Sequence, residues 1–133
     1  MNAIYKALDS EIKPIDLAVK NVITISIDDT LDKAAKLMDE YGISQLIVTN
    51  KDNKILGSIR EKTVTKLLLE QGKKILYKKI MDYMDGPFPE ISEDTPFELV
   101  KTLVLNNDAV VLISNDKLRG LITKADIIKY FHK

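Results

Sequence analysis

Thr123 and Asp126 are the residues of this sequence whose types and spacing could hold a ligand. They lie in the stretch GLITKADII, residues 120–128, just before two isoleucines. A threonine followed three residues later by an acidic residue is typical of a capping box, in which both side chains satisfy free backbone N–H groups at a helix start. A carboxylate is also an acceptor with several lone pairs, which suits ligand binding. The local sequence alone leaves both roles open.

Catalytic chemistry has little support in the sequence. His132 is the only histidine and is next to last, which favours an exposed terminal side chain. There is no glycine-rich phosphate loop, no Ser-His-Asp set and no His/Cys metal cluster. Without cysteine, neither a disulfide nor a thiolate metal site can form. We therefore predict that the chain is not an enzyme and requires no cofactor.

Composition and charge describe a globular chain without strong bias. Of 133 residues, 45% are hydrophobic and 30% charged, enough for one compact domain built of two halves. Twenty basic and twenty acidic residues balance, which disfavours nucleic-acid binding but leaves room for a local basic patch. No apolar run approaches the roughly 18–20 residues of a membrane span, and the N-terminus lacks the apolar centre of a signal peptide. The sequence therefore predicts a cytoplasmic chain without a membrane partner.

The elements that must position Thr123 and Asp126 occur twice along the chain. The spacing between corresponding residues shrinks by one residue at a time, as small deletions in loops would produce. The segment before each unit also matches, Ile15-Asp16-Leu17 against Met81-Asp82-Tyr83. The correspondences within the units pair Ile25-Ser26 with Ile91-Ser92, Asp29-Thr30 with Asp94-Thr95, Leu46-Ile47-Val48 with Val110-Val111-Leu112, and Gly57 with Gly120.

The sequence of each unit predicts the element order β-α-β-β-α. A short extended piece, residues 22–27 or 88–92, leads to the first helix. A branched apolar run follows, then a turn with the sequence KDNK or NDK, then a strand that contains Gly57 or Gly120. A second helix closes the unit. Strands this apolar indicate a sheet that helices cover.

The first helix of each unit has its own start signal. Thr30 caps the helix in the first unit, and Gly42 ends it. In the second unit, Thr95 is predicted as the cap, with Pro96 at the first helical position and Glu98 completing a capping box. The first helix carries a stripe at spacings of three and four, formed by Leu31, Ala34, Ala35, Leu37, Met38 and Tyr41.

This ordered set, present twice and including GLITKADI, resembles a tandem pair of CBS domains, also called a Bateman module. The resemblance covers about Ile15 to Phe131. It implies a mixed α/β (α+β) fold, in which two β-α-β-β-α repeats pack with pseudo-two-fold symmetry and helices cover their small sheets. Residues 1–14 are then an N-terminal helix or extension, residues 15–74 the first repeat, and residues 75–133 a linker helix and the second repeat. In the linker helix, ILYKKIMDYM, we expect the tyrosines and methionines to cover core or a dimer seam.

The resemblance implies a regulatory module without catalysis. Paired CBS domains commonly bind AMP, ADP, ATP or S-adenosylmethionine in clefts between the two repeats. In that family the Asp of the motif Gly-x-x-Thr-x-x-Asp accepts hydrogen bonds from the ribose hydroxyls, and the Thr lies beside the sugar and phosphate; here these are Asp126 and Thr123. Gly120 would let the backbone and the base approach closely. The residues that the resemblance assigns to this site are Gly120, Ile122, Thr123, Lys124, Asp126, Phe88, Pro89, Ile91 and Val110.

The last four of these residues are implied as an apolar slot for the base. A second interpretation stays open for the stretch GPFPEI, which contains three of them. Its two prolines fix the backbone, so that the stretch could simply be a stiff connector between the repeats.

The first repeat departs from the family pattern. In its stretch GSIREKTVT, Arg60 stands where the threonine would be and Thr63 where the aspartate would be. A threonine cannot offer a charged bidentate acceptor. We therefore expect this possible second site to be empty or altered. Arg60 could reach a phosphate, or it could be a surface arginine with no partner.

The second repeat departs at another position. Many nucleotide-binding members carry a basic residue just before the middle strand, but here Ser44-Gln45 and Asp108-Ala109 stand there. Asp108 would repel phosphate, and Lys124 could substitute for the missing basic residue. Adenosine recognition is therefore favoured over tight polyphosphate binding, which suits S-adenosylmethionine or methylthioadenosine.

Two functions from different classes follow as alternatives. The first is a sensor that binds an adenosine-type small molecule and signals to an unknown protein partner in trans. The second is a structural module that has lost its ligand and serves dimerisation. Family members often pair through their helices, so the resemblance implies a homodimer in either case. Direct DNA binding is a weaker third idea, which a steep loss of affinity with salt would revive.

Overall fold

The computed structural model describes residues 12–132, which form two compact units. The first-repeat unit is Ile23–Pro87. The second-repeat unit combines residues 88–132 with residues 12–22. The segment that precedes each repeat in the sequence thus belongs to the compact unit of the other repeat. The predicted extension, residues 1–14, falls almost entirely outside the described residues.

The predicted element order is present in both units, which confirms the mixed α+β fold. The strands are shorter at the start of each repeat than the sequence indicates. In chain order the helices and strands are α1 (Pro14–Leu17), β1 (Thr24–Ser26), α2 (Leu31–Tyr41), β2 (Gln45–Thr49), β3 (Ile55–Arg60), α3 (Glu61–Gln71), β4 (Glu90–Ile91), α4 (Phe97–Asn107), β5 (Ala109–Ser114), β6 (Lys117–Thr123) and α5 (Lys124–Phe131).

Each unit contains a three-stranded sheet with the same topology. In the first-repeat unit β1 pairs parallel with β2, and β2 pairs antiparallel with β3. In the second-repeat unit β4 pairs parallel with β5, and β5 antiparallel with β6. A register shift interrupts both antiparallel pairs at corresponding places, between Val48 and Thr49 and between Leu112 and Ile113. The turns between these strands use left-handed backbone at Asn53, Asn115 and Asp116, where Asn and Asp are tolerated best.

Apolar side chains from sheet and helices form a separate core in each unit. In the first-repeat unit, Leu46, Val48 and Ile59 pack with Leu31, Ala34 and Met38 of α2. In the second-repeat unit, Val110, Leu112 and Ile122 pack with Val100 and Val104 of α4. The central strands β2 and β5 are almost fully buried, as their unbroken apolar runs predict.

The predicted start of the first helix is confirmed in one repeat and wrong in the other. Thr30 accepts a hydrogen bond from the Lys33 N–H at 3.3 Å, and Gly42 ends α2 at φ 61°, as predicted. The capping box at Thr95 is wrong, because the Thr95 hydroxyl accepts the Ser92 N–H at 3.0 Å and α4 begins only at Phe97, after Pro96. Tyr41, assigned to the apolar stripe, is 54% exposed.

The predicted linker helix is also wrong. The connection after α3 forms two short 3₁₀ segments, Lys73–Tyr77 and Ile80–Asp82, separated by extended backbone. Ile75 and Ile80 are buried in the first-repeat core, and Tyr83 and Met84 pack against it. Tyr77 and Met81 instead face solvent, at 76% and 43% exposure. Two buried isoleucines five residues apart hold the connection down at points that an α-helix would place on different faces.

Candidate ligand-binding site

Thr123 and Asp126 form the predicted capping box where β6 ends and α5 begins. The Thr123 N–H and the Thr123 hydroxyl both donate to Asp126 Oδ2, at 2.8 and 2.9 Å. The Asp126 N–H donates in return to Thr123 Oγ1 at 3.4 Å. The Asp126 carboxylate is therefore fixed in orientation, and the residue is only 8% exposed.

The second carboxylate oxygen of Asp126 is not used by the cap. Within residues 12–132, no hydrogen bond reaches Oδ1. If Oδ1 were fully buried, it would be a buried oxygen without a hydrogen-bond partner, and this region contains none. Oδ1 therefore has access to solvent. One oxygen thus serves the fold while the other, held rigidly by the first, is available as a charged acceptor.

A short segment before β1, formed by Ala18 and Val19, lies against β6 beside the Thr123–Asp126 capping box. We call this segment the strap at Val19. The N–H and carbonyl groups of Val19 pair with those of Leu121, at 2.9 and 3.0 Å. A Cβ atom at position 120 would lie 2.7 Å from the Ala18 Cβ and 3.1 Å from the Val19 carbonyl oxygen. Gly120 is therefore required for the close approach of this strap, whatever it also offers to a ligand.

Lys124 and Asp108 face each other next to the box. Lys124 Nζ lies 3.5 Å from Asp108 Oδ1, and both side chains are more than half exposed. The sequence predicts opposite effects of these residues on a phosphate, repulsion by Asp108 and attraction by Lys124. Because the two charges are paired, the net field that a phosphate would meet here is weak.

The four residues assigned to a base slot lie near one another in the second-repeat unit, but most of them are packed. Ile91 and Val110 belong to its core, as does Ile122, and Phe88 is buried at 3% exposure. The Pro89 carbonyl accepts the Val111 N–H at 2.9 Å, which extends the β4–β5 pairing by one bond. Their role toward a ligand stays a prediction.

The first repeat contains a carboxylate that the comparison of residues 57–65 with residues 120–128 does not reveal. The N–H of Arg60, the residue just before α3, donates to Asp85 Oδ2 at 3.1 Å. The Thr63 hydroxyl lies 2.8 and 2.9 Å from the two oxygens of Asp85. Asp85 thus binds the same backbone group that Asp126 binds in the second repeat, although it comes from the connection 25 residues away.

The segment Asp85–Gly86 lies against β3 in the same way and is the counterpart of the strap at Val19. We call it the strap at Asp85. Ser58 and Asp85 exchange both backbone hydrogen bonds, at 3.0 and 2.7 Å, as Leu121 and Val19 do. The buried Ser58 hydroxyl also donates to the Gly86 carbonyl at 2.6 Å. A signal was present in the sequence, since the matched segments Ile15-Asp16-Leu17 and Met81-Asp82-Tyr83 align Asp85 with Val19.

Arg60 has partners in the structure, so the interpretation of a surface arginine without partners is wrong. Its Nε lies 3.4 Å from the Ser58 hydroxyl oxygen, and the residue is half-buried. The junction between β3 and α3 is therefore an altered version of the second-repeat junction, as the residue types at positions 60 and 63 predict.

Removing the Asp85 carboxylate should destabilise the chain. In Asp85→Ala the Arg60 N–H and the Thr63 hydroxyl lose their acceptor, which costs about 1–2 kcal/mol by analogy with lost helix caps. The measurement is the free energy of unfolding in urea. Asp82→Ala, three residues earlier and exposed, is the matched control and should change it by less than about 0.5 kcal/mol. Equal values for the two variants would contradict the role given to Asp85.

A groove of about 410 Å³ opens elsewhere in the first-repeat unit, lined by Met38 of α2, by Val64 and Thr65 of α3, and by Ile43 between α2 and β2. It does not include Arg60 or Thr63. In the part of the chain that the structure describes, no cluster of His, Cys, Asp and Glu could hold a metal ion. Of the helices between residues 12 and 132, none has the length and apolarity that crossing a membrane requires.

Comparison with known proteins agrees with the repeated architecture. The CBS domain family matches residues 15–70 and 80–133. The inosine-5′-monophosphate dehydrogenase of Methanocaldococcus jannaschii is 31% identical over 117 residues, which are 88% of this chain and 23% of that protein. The cystathionine beta-synthase of Dictyostelium discoideum is 26% identical over 125 residues, 89% of this chain and 24% of that protein. The chain thus spans about a quarter of the length of these relatives.

Solved structures share the fold at low sequence identity. A CBS domain-containing protein from Bacillus anthracis superposes with a TM-score of 0.82 at 18% identity, covering 96% of this chain and 97% of its own. CbpB, solved in complex with c-di-AMP, gives a TM-score of 0.74 at 15% identity, covering 98% and 91%. Since the family matches both repeats, the chain belongs to the CBS domain family and carries two CBS domains in tandem.

Proposed function

We propose that this tandem CBS chain is a regulatory module that binds an adenosine-containing ligand through Asp126 and signals to a separate protein. The observation that carries the proposal is the state of the Asp126 carboxylate. Its Oδ2 accepts two hydrogen bonds from Thr123, while Oδ1 receives none within the described residues. A rigid, charged acceptor with an accessible oxygen suits the hydroxyl groups of a ribose.

The charges around the site favour adenosine recognition with little help from phosphate contacts. Lys124 is paired with Asp108, and a phosphate would have to compete for it. A ligand with an uncharged or cationic tail, such as methylthioadenosine or S-adenosylmethionine, meets no such competition. The complex of the structural neighbour CbpB with c-di-AMP supports the adenosine class without selecting a member of it.

The first repeat supports one ligand per chain rather than two. At the start of α3 the acceptor Asp85 is engaged through both oxygens by the Thr63 hydroxyl and through Oδ2 by the Arg60 N–H. Arg60 and Thr63 would therefore have to exchange an internal partner for a ligand. At Asp126, no hydrogen-bond donor of residues 12–132 competes with a ligand for Oδ1.

A ligand-free dimerisation module is the second candidate. The observation that favours it is the exposure of large apolar side chains on the helices, with Leu69, Leu105 and Ile128 at 83, 71 and 67%. A homodimer that covers such residues is compatible with either function, so that oligomeric state alone does not separate the two.

The test is calorimetric titration and thermal shift of the full chain with AMP, ADP, ATP, NAD, S-adenosylmethionine, methylthioadenosine and c-di-AMP. A ligand at 100 times its dissociation constant stabilises the native state by about 2.7 kcal/mol, which gives a rise in melting temperature of several degrees. We expect one compound of the set to bind with a stoichiometry of one per chain. The absence of binding by all of them would overturn the sensor proposal and leave the dimerisation module.

A further inference from the structure

Four lysines and a tyrosine are exposed along the connection after α3. This lysine segment, residues 73–79, consists of Lys73, Lys74, Tyr77, Lys78 and Lys79 around the buried Ile75 and the half-buried Leu76. No acidic residue occurs between Gln71 and Met81. The segment therefore concentrates four positive charges on a chain whose formal net charge is zero.

Within the described residues, these four charges are not neutralised by ion pairs. Some lysines elsewhere in the described residues pair with carboxylates, as Lys33 does with Asp29 and Lys66 with Glu70. For the lysine segment, no carboxylate of residues 12–132 lies within 4.0 Å of any of its ammonium groups. Two acidic residues contact the connection through their backbones: the Asp82 N–H donates to the Lys79 carbonyl at 3.2 Å, and the Asp29 carbonyl accepts the Ile80 N–H at 2.9 Å. The Asp29 carboxylate is already 3.3 Å from Lys33.

The backbone of the lysine segment is held in place. Ile75 and Ile80, at 1% and 0% exposure, anchor it in the first-repeat core. The Leu31 N–H donates to the Lys78 carbonyl at 2.9 Å, and the Ile80 N–H donates to the Asp29 carbonyl at 2.9 Å. In a 3₁₀ helix residues three apart share one side, which places Lys74 beside Tyr77. The charges and the ring are thus presented outward from a fixed support.

We propose that the lysine segment is a binding surface for single-stranded nucleic acid, without preference for base sequence. Lysine ammonium groups are compact point charges that neutralise backbone phosphates. The ring of Tyr77, 76% exposed among them, offers a stacking face to an unpaired base. The segment contains no arginine, whose bidentate fork would read base edges or carboxylates.

Other anionic surfaces fit these residues less well. In a duplex the bases are stacked inside, so the exposed ring of Tyr77 finds no unpaired base to stack on. Membrane binding needs an apolar face beside the charges, and only Tyr77 and Met81 are exposed apolar residues here. The balanced charge of the whole chain disfavours nucleic acid in general, but it is an average over 133 residues and does not describe this segment.

The test measures fluorescence anisotropy of a labelled oligothymidylate of about 16 nucleotides with the full chain. Four bound lysines predict that the affinity falls about 50-fold between roughly 50 and 200 mM salt. The variant with Lys73, Lys74, Lys78 and Lys79 all changed to Gln should lose both the binding and its salt dependence. The matched control changes Lys33, Lys36, Lys66 and Lys101 to Gln, removing the same charge from ion-paired positions, and should still bind.

Stacking is tested separately from charge. Tyr77→Ala should lower the affinity about tenfold at constant salt without changing the salt slope, and Tyr77→Phe should restore it. Loss of binding in both quadruple variants, no binding by the unchanged chain, or an unaffected Tyr77→Ala would overturn the proposal. So would equal binding of a duplex, or binding of anionic vesicles or polyglutamate but not of the oligonucleotide. Asp126→Asn should bind the oligonucleotide normally, which separates this surface from the adenosine site.

Discussion

Replacing Asp126 by asparagine is expected to raise the dissociation constant of the adenosine ligand about 100-fold. The amide can still accept the Thr123 N–H through its one oxygen, but it no longer presents a charged acceptor at the second position. Hydrogen bonds to a charged group are worth about 1.5–3 kcal/mol each, and a ribose diol makes two of them. Ligand at 100 times the original dissociation constant stabilises the unchanged chain by about 2.7 kcal/mol. In Asp126→Asn this stabilisation, and the rise in melting temperature that it produces, should therefore nearly vanish.

A carboxylate of the first-repeat unit provides the control for this variant. Asp29 Oδ2 accepts the Ser26 N–H at 3.1 Å and lies before the start of α2, so Asp29→Asn removes a comparable charge from a helix start. We expect Asp29→Asn to bind the ligand as the unchanged chain does. If Asp126→Asn also retained full affinity and lost only about 1 kcal/mol of stability, Asp126 would be a helix cap and nothing more.

Replacing Gly57 by alanine is expected to lower the free energy of unfolding by about 1–3 kcal/mol, the usual cost of overpacking. The new Cβ would lie 2.6 Å from the Asp85 carbonyl oxygen and 3.0 Å from Met84 Sδ. The methionine could move, but the carbonyl is fixed because it accepts the Ser58 N–H at 3.0 Å. The strap at Asp85 would have to move away from β3, which would also remove the Asp85 carboxylate from the start of α3.

Urea unfolding of this variant is best compared with that of Gly86→Ala. Nothing lies within 4 Å of a Cβ at position 86, and the residue does not have a positive φ. That change should therefore be neutral or slightly stabilising, since alanine restricts the unfolded chain more than glycine. Equal stability of the two variants would mean that β3 and the strap do not approach as closely as the structure shows.

Local chemistry explains which parts of the site the sequence predicts. The Thr123–Asp126 box depends on residues three apart on one chain segment, so residue type and spacing were sufficient. Thr95 has the same signature, but its hydroxyl accepts the N–H of Ser92 rather than that of Glu98. A capping pattern therefore predicts a polar turn more securely than it predicts which N–H is bound.

The role of Asp85 was missed in the sequence for a different physical reason. Its carboxylate reaches α3 only because the strap pairs with the edge of β3, which is a contact between residues 27 positions apart. The internal repeat fixes the positions of helices and strands, because both repeats obey the same hydrophobic pattern. It does not predict a polar group such as the Asp85 carboxylate, which lies on the strap in the first repeat, whereas the corresponding carboxylate of the second repeat, Asp126, lies on the helix.

The division of the chain into compact units has a consequence for its synthesis on the ribosome. The first-repeat unit, Ile23–Pro87, is contiguous and can complete its core once that stretch has emerged. The second-repeat unit is different, because Val19 must wait for its partner Leu121, about a hundred residues later. Leu17, buried in the same unit, stays exposed for the same interval. Until Leu121 has emerged, the nascent chain therefore carries the unpaired backbone groups of Val19 and an exposed Leu17, which favours association with chaperones or with other nascent chains at these residues.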